Sequence, residues 1–532
     1  MKPRGCYRAA VASPDVIVVG AGHNGLICAA YLARAGLRVQ VLERRDIPGG
    51  CTATEEMAPG VWVNRCQCDH LFLYTTPIPA ELELQRYGLE NIEADPCHWA
   101  PSRDGQGLVF WKDVGRTADA IGQRSAKDAR AYLRFVRRWS EIFKWLQPIL
   151  LGSPTPGAAG RRMLRQPGRT VAGLRNLPTL LRAQSASVRD VLDATFEDVE
   201  LKGVLAFFSA ALAGLPPSAP RSAMFCFAIV LHHLAGVRRP RGGSGGLVRA
   251  LIAAIEAHGG SVRTGAAVER IRVEAGTVRG VLIQNGEEIA ARSVVAACDP
   301  QTTFLRLLDS TTVPTSVRNG IRRLQVANGF ALKVDYKIDR LPQWQPHPMT
   351  THEELLRATT YVSPSINYLE AAYADYAQRR NSRRPALIVS TPTAADPSLV
   401  SDGAHLLTVE TRYAPYELEP GQSWQEVGER ESQRLFEMLE PYAPNLKGAK
   451  HLPIVQSPVD LERDLGLPRG NMVHIDASPS QSLARRPLPG LANYRSPIRG
   501  LYLTGAGTHP GGGVWGAPGH NAAHEILRDL GA

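Results

Sequence analysis

The stretch DVIVVGAGHNGLICAAYLARAGLRVQVLERRDIPGG, residues 15 to 50, constrains the fold of this chain more than any other. Asp15 to Val19 is a short β-branched run, suited to a buried parallel strand. Gly20, Gly22 and Gly25 follow as G-x-G-x-x-G, a helix-like run covers Asn24 to Arg34, and LRVQVLE forms a second strand closing on Glu43. Each part has a mechanical reason. Gly20 makes a tight turn, Gly22 lets a pyrophosphate approach the backbone, Gly25 lets helix and strand pack closely, and Glu43 accepts hydrogen bonds from a ribose. Three glycines alone are weak evidence; strand, glycines, helix, second strand and acid in that order are strong. The chain therefore reads as α/β with a Rossmann-like dinucleotide-binding unit.

Arg44 and Arg45 follow the acid and suit a ribose 2′-phosphate, but Glu43 would repel that phosphate, so a plain ribose hydroxyl is the better reading. A second glycine cluster, GGSGGLVRALIAAIEAHGG (242 to 260), follows VRRPR and not an apolar strand. It lacks the Rossmann context, so one dinucleotide is expected.

A length of 532 residues calls for two or more domains, and 44% hydrophobic with 21% charged residues is ordinary for a globular chain. The net charge of +11 comes without a basic run interleaved with aromatics or a zinc-finger signature, so nucleic acid is not expected as a partner. The excess suits an anionic cofactor or an acidic membrane surface. The eight cysteines are scattered, and MKPRGCYRAAVASPD has no apolar core of leader length, so reduced thiols in a cytoplasm are expected. CQCDH (Cys66, Cys68, His70) has no second ligand pair at zinc spacing, so no metal is expected. No apolar run reaches eighteen residues.

The late stretch TGAGTHPGGGVWGAPGHNAAHEIL (504 to 527) holds seven glycines in its first twenty residues. Such backbone freedom fits close approach to a ligand just before a helix. With GAGHNGL, LERRDIPGG and this tail together, the sequence resembles the phytoene desaturase-like (carotenoid dehydrogenase-related) flavoproteins of the glutathione-reductase and amine-oxidase superfamily. The resemblance implies FAD as cofactor. It also implies a glutathione-reductase-type FAD domain, a second α+β substrate domain and a helical cap. By the same resemblance Gly20, Ala21, Gly22, Asn24 and Gly25 meet the pyrophosphate, and Glu43 the adenosine ribose, with Arg44 beside it. Gly49, Gly50, Cys51 and Thr52 pass the flavin, and Val268 offers adenine a backbone contact. The tail residues Gly505, Ala506, Gly513, Val514 and Trp515 wrap the ribityl chain and the ring. Cys51 stands where amine oxidases usually carry Arg, and Gly505-Ala506 where many relatives have Gly-Asp; both departures favour the desaturase-like branch. The tail has no cysteine, which excludes covalent flavin attachment there.

The FAD domain is expected to be discontinuous: 1–114, 241–325 and 477–532. A helical cap covers 115–240, and a substrate domain of sheet and helices covers 326–476, with strands such as GFALKVDYKID (329 to 339). Residues 261–300 read as a β-meander turning at Asn285-Gly286. In YLRFVRRWSEIFKWLQPIL the apolar positions trace one helix face flanked by Arg130, Arg134, Arg137 and Arg138. A core-facing helix is the first reading. The second is a membrane-surface helix collecting a lipid-soluble substrate, with peripheral association at the inner membrane face.

The resemblance implies dehydrogenation of a hydrophobic, polyene-like small-molecule or carrier-bound substrate by hydride transfer to flavin N5. Isomerase or ketolase chemistry, amine oxidation, and a flavin-binding partner without turnover are the alternatives. Asp69 and His70 are the candidates for an assisting base, against plainer readings of Asp69 as a local cap and His70 as a hydrogen-bonded half-buried histidine. His509 is a further candidate in the tail. The electron acceptor stays open among oxygen, a quinone and a carrier.

Overall fold

The computed structural model describes residues 13–531 apart from 67, 104, 166 and 327–330. The stretch read for a leader, with Cys6, lies outside the described residues, as do Gly329 and Phe330 of the strand read over 329–339. β1 (Val16–Val19) and β2 (Val39–Leu42) pair in parallel, Val16 opposite Val39, and α1 (His23–Arg34) crosses between them. Ser293–Ala296 adds to the free side of β1, Leu501–Leu503 lies beyond it, and Ser261–Arg263 adds to β2. All five strands run parallel, in the order Leu501–Leu503, Ser293–Ala296, β1, β2, Ser261–Arg263.

A parallel strand covered on both faces needs side chains that are apolar on both. Val16, Ile17 and Val18 are wholly buried for this reason. On one face pack α1, the helix Gly245–Ala257 and the helix Ala517–Leu530. On the other lies the antiparallel meander Val268–Glu274, Thr277–Ile283 and Glu288–Ala290, with Asn285-Gly286 at its second turn. One sheet is thus assembled from early, middle and late segments.

A seven-stranded sheet roofs the other side of the molecule. Its order is His451–Gln456, Lys333–Ile338, His405–Thr411, Leu387–Ser390, Thr359–Val362, His98–Ala100, Leu108–Phe110. The last two strands fall inside the segment 1–114 expected to be nucleotide-binding. Trp99 and Val109 pack into the roof-sheet core, so that segment ends before residue 98 and not at 114.

Helices fill most of 114–235. The long helix Ala126–Leu150 buries Tyr132, Phe135, Val136, Trp139, Ile142 and Phe143 inside the protein. Its apolar face is therefore core, as in the first reading, and the second reading fails for this helix because that face is not available to a membrane. No helix among the described residues is long and apolar enough to cross a membrane.

Candidate active site

A cavity of ≈ 1090 Å³ lies between the five-stranded sheet and the roof. At one end the wall is mostly backbone. Gly20 has φ +103°, in the region that favours glycine, and turns the chain from β1 towards α1. A Cβ at Gly25 would stand 2.3 Å from the Gly20 carbonyl oxygen, so that glycine is fixed by helix–strand packing. Gly22 has an ordinary φ of −67° and nothing within 4 Å of where its Cβ would stand. Neither backbone conformation nor packing requires glycine there. A side chain would instead fill the cavity over the uncapped N-terminus of α1, where open N–H groups and the helix dipole favour an anion.

Glu43 receives the Ala21 N–H on Oε2 at 2.8 Å and the Arg45 N–H on Oε1 at 3.0 Å, which aims the carboxylate along the cavity wall. Arg45 is committed to Glu55, its Nη2 donating to both carboxylate oxygens at 2.7 and 2.8 Å, while Arg44 reaches the Asp464 carbonyl at 3.2 Å. Asn24, Gly50, Cys51, Val268, Gly505, Ala506, Gly513, Val514 and Trp515 also line the cavity. The Trp515 ring packs on Phe72 at 4.6 Å between centroids.

Five residues expected at the site are not on the wall. Ala21 is buried and spends its N–H on Glu43. Gly49 (φ +120°) packs on Val248 and Ala53, and the Thr52 hydroxyl turns back to the Gly49 carbonyl at 2.8 Å. His70 points away, with Nε2 3.0 Å from the Ser244 hydroxyl, and burial pushes it down to about 3. His509 likewise turns to the Ile149 carbonyl at 3.0 Å.

Asp69 does line the cavity, but its carboxylate is saturated. Arg239 Nε donates to it at 2.6 Å and the Thr359 hydroxyl donates to its other oxygen. Arg239 in turn donates to the Arg357 carbonyl at 2.6 Å and to Thr359 Oγ1 at 2.7 Å. Burial raises the Asp69 pKa, yet the Arg239 charge and these hydrogen bonds hold it below the ordinary carboxylate value overall. Neither proposed base is thus poised as one: His70 is outside the cavity and Asp69 is a locked ion-pair partner.

The 242–246 glycines serve packing. Ser244 and Gly245 donate their N–H groups to Asn64 Oδ1 and Thr54 Oγ1, at 2.8 and 2.9 Å. Of CQCDH, Cys66 reaches the cavity beside Cys51. The two thiols lie within hydrogen-bond reach, which, with Arg65 nearby, lowers the Cys51 pKa against burial. No three His, Cys, Asp or Glu side chains among the described residues gather as a metal site.

Three features escaped the sequence reading. Arg486 is fully buried and donates to the carbonyls of Val473, Ile475, Asp476, Gln481 and Ala506, tying the glycine tail to the loop before it. Burial lowers its pKa to about 10. Glu410 and Arg412 reach the cavity from the roof strand His405–Thr411 and the residue after it. A signal was present in LTVETRY, where charged residues at alternate positions of an apolar strand share one face. His98 and His232 meet on the same wall, with ring centroids 5.0 Å apart.

An open helix N-terminus, an acid at the end of the second strand and a glycine tail beside an apolar chamber define a flavoprotein oxidoreductase. The sequence model of the flavin containing amine oxidoreductase family matches residues 25–404, and the chain belongs to that family. It is 34% identical over 552 residues to pyridine nucleotide-disulfide oxidoreductase domain-containing protein 2 of Rattus norvegicus, spanning 97% of this chain and 94% of that protein. It is 26% identical to a lycopene-forming phytoene desaturase of Pseudescherichia vulneris, spanning 97% and 99%. A solved structure of a putrescine oxidase variant shares the fold, with TM-score 0.61 at 17% identity over 97% of this chain and 98% of that one. The cofactor is FAD, and the space left open at Gly22 above the α1 N-terminus fits its pyrophosphate.

Proposed function

We propose that this FAD-dependent oxidoreductase is a dehydrogenase that introduces or extends unsaturation in a largely apolar substrate. The carrying observation is the chamber beyond the glycine tail, walled by Leu71, Phe72, Leu150, Leu212, Phe225 and Phe227. Bound FAD supplies a two-electron acceptor, and the protein has to orient the substrate and keep water away. The apolar walls do both. Gly22, Gly25 and the α1 N-terminus hold the pyrophosphate in this reading, Glu43 the ribose, and the tail from Gly505 to Trp515 the flavin. The similarity to a phytoene desaturase and Cys51 in place of arginine favour desaturation. The putrescine oxidase fold and the family as a whole favour amine oxidation as the second reading.

The substrate is collected at an anionic membrane surface. Helices Pro156–Leu164, Pro167–Arg175 and Leu177–Ala183 expose Leu164, Val171, Leu174, Leu177 and Leu181. From residue 142 to 189 the chain has no Asp or Glu, yet Arg161, Arg162, Arg165, Arg169, Arg175 and Arg182 fall there. Exposed leucines among arginines suit an interfacial helix, and Ala183 and Gln184 at its end line the cavity.

The test is anaerobic mixing of the purified protein with polyenes and with amines while flavin absorbance is followed. Bleaching by a polyene is expected. Bleaching by amines alone moves the protein to the second reading, and a protein that takes up no FAD overturns both. Co-sedimentation with phosphatidylglycerol vesicles, lost in L174E/L181E, is the expected sign of the surface.

A further inference from the structure

The cavity wall carries a second acid–arginine pair, and this one is unfinished. Glu410 and Arg412 stand two residues apart on the roof sheet, with side chains 2% and 6% exposed and Arg412 Nη1 2.7 Å from Glu410 Oε1. The arginine lends charge, but neither Glu410 oxygen accepts a hydrogen bond from a described residue. Buried carboxylate oxygens are rarely left so, because losing water without a replacement donor is costly. Asp69, on the same wall, has its donors in place. The missing donor at Glu410 is therefore one that the cavity admits.

Charge fixes its kind. Around Glu410 the buried charges stand in pairs, Asp69 with Arg239, Glu410 with Arg412, and Asp335 with Lys333 on the neighbouring roof strand, while the buried Arg486 is spent on carbonyls at the glycine tail. An ammonium or carboxylate head would enter as an uncompensated buried charge. A neutral hydroxyl would not. Leu71, Leu150, Phe225 and Phe227 give the chamber an apolar wall.

We propose that Glu410 is the hydrogen-bond acceptor for a single hydroxyl head on an otherwise apolar substrate, with Arg412 fixing the carboxylate in place. This rests on the apolar-substrate reading above and narrows it to an alcohol-bearing hydrocarbon.

The experiment measures dissociation constants by calorimetry for three probes of one carbon skeleton: farnesol, farnesene and farnesylamine. Wild type is expected to bind farnesol about ten- to a hundredfold more tightly than farnesene, the range a hydrogen bond to a charged group gives. Farnesylamine is expected to bind more weakly than farnesol. E410Q keeps an acceptor without the charge and is expected to lose part of the preference. E410L/R412M removes acceptor and counter-charge together, keeping the wall folded, and is expected to bind all three probes within about threefold of each other. Equal binding of farnesol and farnesene by wild type overturns the proposal. So does a farnesol preference that survives E410L/R412M, or tighter binding of farnesylamine. Calorimetry reads these ratios whether or not FAD is bound, so failure to take up FAD overturns the function while the ratios decide the role of Glu410.

Discussion

Asp69–Arg239 and Glu410–Arg412 join the same two chemical groups, each with its carboxylate on one cavity wall, and they are built for different ends. Asp69 takes donors from Arg239 and Thr359, and Arg239 also reaches the Arg357 carbonyl. That pair staples the loop after Cys68 to the roof strand Thr359–Val362. Glu410 has charge beside it and no hydrogen-bond donor among the described residues. A buried ion pair therefore says little until its remaining lone pairs are followed. Where all are satisfied the pair is architecture, and where some are left over it is a place for something else.

Breaking one partner should separate the pairs most. Arg239→Met strands a carboxylate among groups positioned for it, and a loss of about 3–5 kcal/mol in urea unfolding is expected. Replacing whole pairs sharpens the contrast with a smaller effect. D69L/R239M forfeits the bonds to Thr359 and Arg357, and about 1–3 kcal/mol should go. E410L/R412M forfeits no hydrogen bond to Glu410 from a described residue and should cost less than D69L/R239M. Equal losses in the two double variants would erase the distinction.

The remaining contrast is in acid sensitivity. Asp69 is held below the ordinary carboxylate value, so its stabilisation is present above the unfolded-state pKa and is lost as pH falls through the folded one. His98, which burial pushes down to about 3, stays neutral in the fold while an unfolded histidine takes a proton below about 6.5. Its contribution is also complete above that pH and fades towards 3. Both signs agree, so the urea midpoint should fall steadily between about pH 6.5 and 4. His98→Phe should flatten the upper part of that slope, whereas Asp69→Asn should flatten only the part below about pH 4.

The nucleotide end was readable because its logic is local. Gly20, Gly22, Gly25 and Glu43 act within one strand–helix–strand unit, where each spacing has a geometric meaning. His70 was misplaced for a local reason too: it adjoins Asp69, but neighbouring side chains on a non-helical segment diverge, and only Asp69 faces inward. The first segment was drawn too long because the partners of His98–Ala100 lie about 260 residues away, at Thr359 and Thr360. The alternate charges of LTVETRY mark the face that Glu410 shares with Arg412, but its missing donor and the role of Arg486 were invisible for the same cause. What each does depends on carbonyls, donors and walls brought in by distant parts of the chain, which no spacing encodes.

The five-stranded sheet also sets a timetable. β2 ends at Leu42 and the outermost strand begins at Leu501. At roughly 5–20 residues per second, a ribosome takes on the order of half a minute or more to make the chain between them. For the first part of that interval the open edge of β1 waits for Ser293–Ala296, and for the rest the outer edge of Ser293–Ala296 waits for Leu501–Leu503, each in turn bare backbone in a crowded cell. In the proposed arrangement FAD docks on the finished α1 N-terminus early, and its far end is clasped only once the glycine tail has been synthesised. A chain cut short before residue 501 would keep the part of the site most legible in its sequence and still leave the cofactor free to fall out.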